Sequence, residues 1–364
     1  MLSSIWLFLF IHMTHIHEAY MHRCIELARL GAGFVAPNPM VGAVLVHENR
    51  IIGEGWHQQY GGPHAEVNCL NSVAETDRSL IPSSTLYVSL EPCAHYGKTP
   101  PCAKFIIEQQ IKKVVVGCRD PFEAVNGKGI EILRAAGVEV TMHVLEQECI
   151  TLNSRFFCFH QLHRPYVVLK WAQTADGFMG GNTSERLLIT NAFSNRLVHQ
   201  WRSIESAILI GTETALKDDP SLTNRLWYGN HPLRMVIDRR LRLPATLTLF
   251  NDGFPVVVFN EQKETQEGVI QYVKMEQGLS VISQIMSFCY RQQIQSILVE
   301  GGSTLLHTFL QEKQWDEIRT ITNLNLTTGT GVKAPQLPVM TATKTIHLAS
   351  DEVNFYHHNQ SFSV

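Results

Sequence analysis

His64-Ala65-Glu66 opens a stretch that runs through Thr85-Leu86-Tyr87-Val88-Ser89-Leu90 to Glu91-Pro92-Cys93 and closes at Pro101-Cys102. It reads as helix, strand, helix: HAEVNCLNSVAE from His64, TLYVSL as a buried strand over 85–90, and PCAKFIIEQQ from near Cys102. His64 and Cys102 then fall near helix starts, whose unsatisfied N–H groups favour anionic ligands such as thiolates. One imidazole and the thiolates of Cys93 and Cys102 are a three-ligand set for catalytic zinc, with the fourth position left to water. Zinc lowers the pKa of such a water to about 7. Glu66 would take its proton and pass it to a ring nitrogen and a departing amine.

The order H-x-E, then P-C-x-x-C, is that of the zinc-dependent base deaminases. Here the second cysteine is delayed by an insert, residues 94–101, carrying His95, Lys98 and Thr99, polar groups able to reach an anionic substrate. The plain alternative is a closed structural zinc site, or a helix-start histidine with two buried thiols. Glu66 weighs against both, because neither has a use for it.

Outward from this stretch, 364 residues predict two domains, and 45% hydrophobic with 17% charged residues describe a globular chain. A formal charge of −3 argues against a chain that tracks nucleic acid, whose binding rests on neutralising phosphates. A single phosphorylated metabolite needs only two or three arginines or lysines. Eight cysteines without a close-set framework fit a reducing cytosol. The apolar start LSSIWLFLFI is too short for a membrane span and lacks signal-peptide features. The helix implied by HIHEAYMHRCIELARLG suggests translation from Met13, leaving residues 1–12 as an extension without structure of its own.

VGAVLVH and RIIGEGWH flank Glu48-Asn49 as a hairpin; KVVVGC, GKGIEILRAAG and VEVTMHV continue the alternation as strand, helix and strand. We expect one α/β domain over 13–160 and a second over 164–364, the boundary near His163-Arg164-Pro165. In the second, YVVLKWA, SAILIG (206–211), LRMVID (233–238), FPVVVF (254–259) and SILVEGG (296–302) read as strands, with helices near 278–293 and from Ser303. Asn38 and His57 lie in polar positions flanking the hairpin, Asn38 suited to a base or ribose edge and loop capping its plain alternative. Glu300-Gly301-Gly302-Ser303-Thr304 is a strand-to-helix turn able to present N–H groups to phosphate, with no G-x-G-x-x-G fingerprint. Arg202 and Arg225, the latter in Asp218-Asp219-Pro220-Ser221-Leu222-Thr223-Asn224-Arg225, are phosphate candidates, since guanidinium forks match phosphate oxygens.

Together HAE, PCxHxGxTPPC, NPxVG, LKxAxxxDG, DDPSLTxR and VEGG resemble the bifunctional riboflavin-biosynthesis deaminase–reductase family, RibD, from about Met13 onward. The resemblance implies an α/β fold of two domains: an N-terminal cytidine-deaminase-like three-layer α/β/α domain and a C-terminal dihydrofolate-reductase-like α/β domain. It implies a cytoplasmic homo-oligomer acting on a phosphorylated pyrimidine, 2,5-diamino-6-ribosylamino-4-pyrimidinone 5′-phosphate, with no nucleic-acid or membrane partner. Zn2+ would sit on His64, Cys93 and Cys102 with Glu66 catalytic, and NADPH would reduce the ribosyl to a ribityl chain. Asn38, His57, His95, Lys98, Arg186, Arg202, Leu222, Arg225 and Glu300 would contact substrate. Ala172, Leu188, Thr214, Asp218, Gly302, Ser303 and Thr304 would contact the cofactor, Asp218 being the best guess for a reductase acid. Where relatives read G-[DE]-S-x-W-I-T, this chain reads Thr183-Ser184-Glu185-Arg186-Leu187-Leu188-Ile189-Thr190, so Arg186 replaces a small hydroxyl and Leu188 an aromatic. The alternatives are a deaminase with an impaired reductase half, or a nucleic-acid base deaminase.

Overall fold

The computed structural model describes the backbone of residues 2–94, 101–181 and 187–358, with side chains from Ile16 onward within these ranges. The chain divides between Leu162 and His163 into two compact units.

The first unit begins with helix α1 (Leu2–Arg29), followed by strands β1 (Gly42–His47) and β2 (Arg50–Trp56). That helix starts well before Met13, which corrects the expectation of an unstructured residue 1–12 extension: neither glycine nor proline interrupts the run. Glu48 and Asn49 both have positive φ, the two-residue turn whose twist suits a tight hairpin. Helix α2 (Ala65–Asn71), strand β3 (Thr85–Leu90), helix α3 (Cys102–Glu108), strand β4 (Lys113–Cys118), helix α4 (Lys128–Ala135) and strand β5 (Glu139–Thr141) follow. The α2 helix is shorter than its sequence suggests, since a 3₁₀ segment, Glu75–Ser83, with Pro82 inside takes over. Helices α5 (Glu146–Leu152) and α6 (Ser154–Leu162) complete the unit and were not anticipated. Both are short, and Phe156, Phe157, Cys158 and Phe159 are buried in succession, so no polar face marks the period.

The strand order is β2-β1-β3-β4-β5. Successive side chains on a strand point to opposite faces, and the core obeys this. Ala43, Leu45, Leu86, Val88, Val114 and Val116 meet α2, α3 and α4, whereas Val44, Val46, Tyr87 and Val115 meet α1, α5 and α6. The result is the expected three-layer α/β/α arrangement. A Cβ on Gly55 would come 2.2 Å from the Cys69 backbone nitrogen, so glycine there lets α2 lie directly on the hairpin.

The second unit runs β6 (Tyr166–Thr174), β7 (Phe178–Gly180), α7 (Ala192–Ile204), β8 (Ala207–Gly211), α8 (Thr212–Asp218), β9 (Leu233–Ile237), α9 (Thr248–Asn251) and β10 (Val256–Asn260). It continues with β11 (Thr265–Glu267), β12 (Ile270–Lys274), α10 (Val281–Arg291), β13 (Ser296–Val299), α11 (Ser303–Gln311), β14 (Glu317–Asn323), β15 (Val332–Lys333), β16 (Lys344–Leu348) and β17 (Asp351–His357). Ten strands form one sheet in the order β11-β12-β10-β9-β8-β13-β6-β14-β17-β16, and β12 through β14 in that order are parallel. Helices α10 and α11 pack on one face, and α8 with Leu222 and Leu249 on the other. This doubly covered sheet gathers the C-terminal ends of β6, β8 and β13 along one edge, where ligands of open α/β sheets bind.

Candidate active sites

In the first unit, β3 delivers Cys93 just past its C-terminal end, α3 begins on Cys102, and α2 is preceded by His64 in extended conformation. The His64 side chain makes no cap hydrogen bond. Its ring faces the cysteines instead, with Nδ1 3.3 Å from Cys102 Sγ and 3.5 Å from Cys93 Sγ. All three donor atoms lie within 4.8 Å of one another. A tetrahedral zinc with the usual bond lengths needs N–S and S–S separations of about 3.6 and 3.8 Å, so this donor set fits the ion. Cys93 Sγ also accepts the Cys102 backbone N–H at 3.3 Å.

Within the cluster one thiolate is favoured, that of Cys93. The hydrogen bond from Cys102 draws the Cys93 thiol down to about 4, while the Cys93 thiolate and burial push Cys102 upward. Contact with Cys93 raises His64. Glu66, one residue into α2 and 3% exposed, is raised by burial against the opposing pull of His64 and the nearby Cys102 thiol. It thus adjoins the His64, Cys93 and Cys102 donors without being one of them.

His57 and Asn38 form a relay to the same place. His57 Nδ1–H donates to the Pro63 carbonyl at 3.0 Å, leaving Nε2 to accept the Asn38 Nδ2–H at 3.1 Å. Burial lowers the pKa of His57, favouring this neutral form. The Pro63 carbonyl also accepts from Asn68, which bonds the Trp56 carbonyl as well. Because Pro63 precedes His64, the network fixes the approach of the His64 ring.

In the second unit, Glu300 follows β13, with its side chain only 6% exposed. Arg202 of α7 grips it with two hydrogen bonds, Nε to Oε1 at 2.8 Å and Nη2 to Oε2 at 2.7 Å, and Lys170 of β6 stands 3.5 Å from Oε2. Burial opposes the charge, but Arg202 and Lys170 outweigh it and hold Glu300 at about 2. Arg202 also donates to the Thr223 carbonyl at 3.2 Å, and Arg225 to Thr223 Oγ1 at 3.1 Å. The Arg225 backbone N–H donates to His199 Nδ1 at 2.8 Å, and burial together with Arg202 and Arg225 drives His199 down to about 4.

The adjoining turn is backbone-shaped. Gly301 and Gly302 both have positive φ, and a Cβ on Gly301 would come 3.1 Å from the Thr214 methyl. Ser303 starts α11 and donates to the Lys333 carbonyl at 2.9 Å.

Comparison with known proteins decides the family. Residues 14–118 match the cytidine and deoxycytidylate deaminase zinc-binding region, and residues 165–342 match the RibD C-terminal domain. Riboflavin biosynthesis protein RibD of Aquifex aeolicus (strain VF5) is 38% identical over 315 residues, 84% of this chain and 86% of the relative. The chain belongs to the RibD family. RibD structures agree. The Thermotoga maritima diaminohydroxyphosphoribosylaminopyrimidine deaminase/5-amino-6-(5-phosphoribosylamino)uracil reductase superposes with a TM-score of 0.86 at 36% identity, covering 95% of this chain and 99% of its own. Acinetobacter baumannii RibD, in one crystal form, gives 0.85 at 32%, covering 95% and 100%. This RibD chain is accordingly a bifunctional deaminase and reductase of riboflavin biosynthesis, zinc-binding in the first domain's family.

Most candidate residues of this RibD chain gather at the two places described. His64, Glu66, Cys93, Cys102, Asn38 and His57 converge in the first unit; Arg202, Arg225 and Glu300 in the second. Thr214, Gly302 and Ser303 share the turn, with Thr304 next in α11 and Ala172 near the end of adjacent β6. Leu222 is different: its side chain is buried in the core, so only its backbone, at positive φ, can meet a ligand. Asp218 ends α8, about 10 Å along the helix from its start. Leu188 is 76% exposed. His95, Lys98 and Arg186 lie outside the described residues. Sequence reading missed Lys170 and His199, although LKxA contains the lysine; a lone cation in a strand carries no signal until Glu300 faces it.

No helix among the described residues is long and apolar enough to cross a membrane.

Proposed function

We propose that the first unit removes the 2-amino group of 2,5-diamino-6-ribosylamino-4-pyrimidinone 5′-phosphate with zinc on His64, Cys93 and Cys102, and that the second reduces the ribosyl product with NADPH. The observation that carries the reading is the convergence of those three donors beside a buried carboxylate that is not one of them. When bound, zinc acidifies a water and NADPH supplies a hydride. Glu66 accepts a proton of the attacking water and delivers it to the ring nitrogen, then carries the proton of the newly formed C–OH to the amine, which leaves as ammonia as that C–OH becomes the carbonyl. With one amide N–H committed to His57, Asn38 offers its carbonyl oxygen and its second N–H to the pyrimidine edge. In the second unit, the Arg202–Glu300–Lys170 cluster holds sugar hydroxyls, Arg225 takes the phosphate, and the Gly302 turn with Ala172, Thr214, Ser303 and Thr304 aligns the cofactor. Positioning supplies much of such a rate.

A reducing compartment suits this reading, since all eight cysteines are free. The net charge of −3 favours a small phosphorylated substrate over nucleic acid.

The test supplies the diamino substrate to zinc-loaded protein with and without NADPH, following ammonia and NADPH oxidation separately. Ammonia is expected in both cases, and NADPH oxidation only after deamination. Ammonia without any NADPH consumption would reduce the reading to the deaminase alone, with exposed Leu188 the first place to look; neither signal would overturn it. Cys93→Ala should lose zinc and ammonia release together while reducing the separately supplied deaminated product normally. Deamination that persists without metal would defeat the assignment.

A further inference from the structure

Glu91 lies outside every role given so far, yet it is among the best-satisfied buried carboxylates in the chain. It is 3% exposed and follows β3 directly, two residues before Cys93. Its Oε2 accepts the backbone N–H groups of Asp120 at 3.2 Å and Gly127 at 2.9 Å. Its Oε1 accepts those of Gly129 at 3.0 Å and Ile130 at 3.4 Å. Gly127 caps α4 and the next donors belong to its first turn, so Glu91 fills the N-terminus of that helix from another part of the chain. The first N–H groups of a helix have no partner within it and favour an anion.

The same contacts hold the strap Glu91-Pro92-Cys93 in place. The Glu91 N–H donates to the Cys118 carbonyl at 3.0 Å, and the Cys93 carbonyl accepts from the Ala103 N–H at 3.2 Å. Gly129 lies so close to Pro92 that a Cβ there would come 1.9 Å from the Pro92 carbonyl oxygen. Cys93 therefore has one side tied to the start of α3 and the other to the start of α4, the second tie running through Glu91.

We propose that Glu91 is a positioning residue for the metal centre, locking Cys93 into ligand geometry by anchoring the strap to α4. This rests on the zinc reading of His64, Cys93 and Cys102. Glutamine at 91 keeps the shape but turns an N–H donor toward backbone donors, so the anchor loosens. Gly129→Ala presses on the same strap from the opposite side with Glu91 intact. Loss of groups that orient metal ligands typically weakens binding 10- to 100-fold.

The experiment uses the full-length chain and measures zinc affinity by chelator competition, together with the d–d and thiolate charge-transfer bands of the cobalt(II)-substituted protein. Glu91→Gln and Gly129→Ala are each expected to weaken zinc roughly 10- to 100-fold and to shift the cobalt bands. Leu133→Ala, a core truncation in α4, serves as the control that lowers thermal stability without moving either readout. If Glu91→Gln fails to fold, Gly129→Ala carries the comparison. Variants that melt earlier but bind zinc and display cobalt bands like the wild type would overturn the inference and leave Glu91 a helix cap. A wild-type chain that binds no zinc would overturn the metal reading and this inference with it.

Discussion

Glu66→Gln is expected to lower the deaminase kcat by a factor of about 10²–10⁴, the usual weight of general acid–base catalysis, with zinc content unchanged. The substitution is nearly isosteric at a site only 3% exposed, so packing around α2 is kept. The amide cannot take a proton from water or give one to nitrogen, and both transfers fall to this one side chain. Because burial already lifts the carboxyl's pKa, the native group is suited to holding a proton in mid-reaction. KM should change little, since Asn38 and His57 remain. The measurements are steady-state ammonia release and zinc stoichiometry on the same preparation. A kcat within a few-fold of wild type would remove Glu66 from the mechanism; loss of zinc alongside activity would make it a support for the ligands instead.

The second large effect is expected from Arg202→Leu. Breaking a buried ion pair by removing one partner destabilises by about 3–5 kcal/mol, because the remaining charge is stranded. Among the described residues Glu300 would then keep Lys170, at 3.5 Å, as its one cation partner. For a unit of this size that corresponds to a fall in Tm of roughly 6–20 °C, accompanied by loss of NADPH oxidation and retention of ammonia release. Replacing both partners, as Arg202→Leu with Glu300→Leu, should recover much of the stability but none of the reduction. Recovery of reduction would show that the pair serves the fold alone.

The pH dependence follows from the same cluster. Glu300 has its folded pKa held at about 2, below the unfolded 4.5, so its stabilisation is complete above about pH 4.5 and is lost as pH falls through about 2. The shift is worth about 3 kcal/mol, in line with the mutational estimate. His199, held at about 4 against an unfolded 6.5, adds loss of stability as pH falls between those values, because the unfolded chain gains the proton first. Acid unfolding of the second unit should therefore begin below about pH 6.5 and steepen below 4.5. In Arg202→Leu the step below 4.5 should be largely gone; an unaltered acid profile would mean that Glu300 is not held by Arg202.

Local chemistry made much of the fold readable. Glu48-Asn49 between two apolar runs could hardly be anything but a tight hairpin turn, and the apolar cores of β3 and β4 begin and end where the pattern says. Elements whose polar residues are buried were harder to read. Strand β14 carries Glu317 and Arg319 on its buried face, paired with each other at 2.7 Å and, from Arg319, with Glu205 at 3.4 Å. A charge neutralised by a distant partner looks, in one dimension, like a solvent-facing residue. β16 is mostly exposed and β17 mostly half-exposed, α5 is a short, largely polar segment, and α6 hid behind an all-round apolar run.

The sequence by itself determined which donor types the proposed metal centre has to draw on: histidine, glutamate and two cysteines fall at helix starts and a strand end, and residue type sets donor chemistry. Only the tertiary structure decided how those groups are held. Residues 98 positions apart in the chain, Arg202 and Glu300, become a single buried ion pair, and the Pro63 carbonyl sets the His57 tautomer, which in turn orients Asn38. Glu91 reaches donors up to 39 residues away to anchor Cys93. Such couplings depend on distance and burial between segments, and neither is written in the order of the residues.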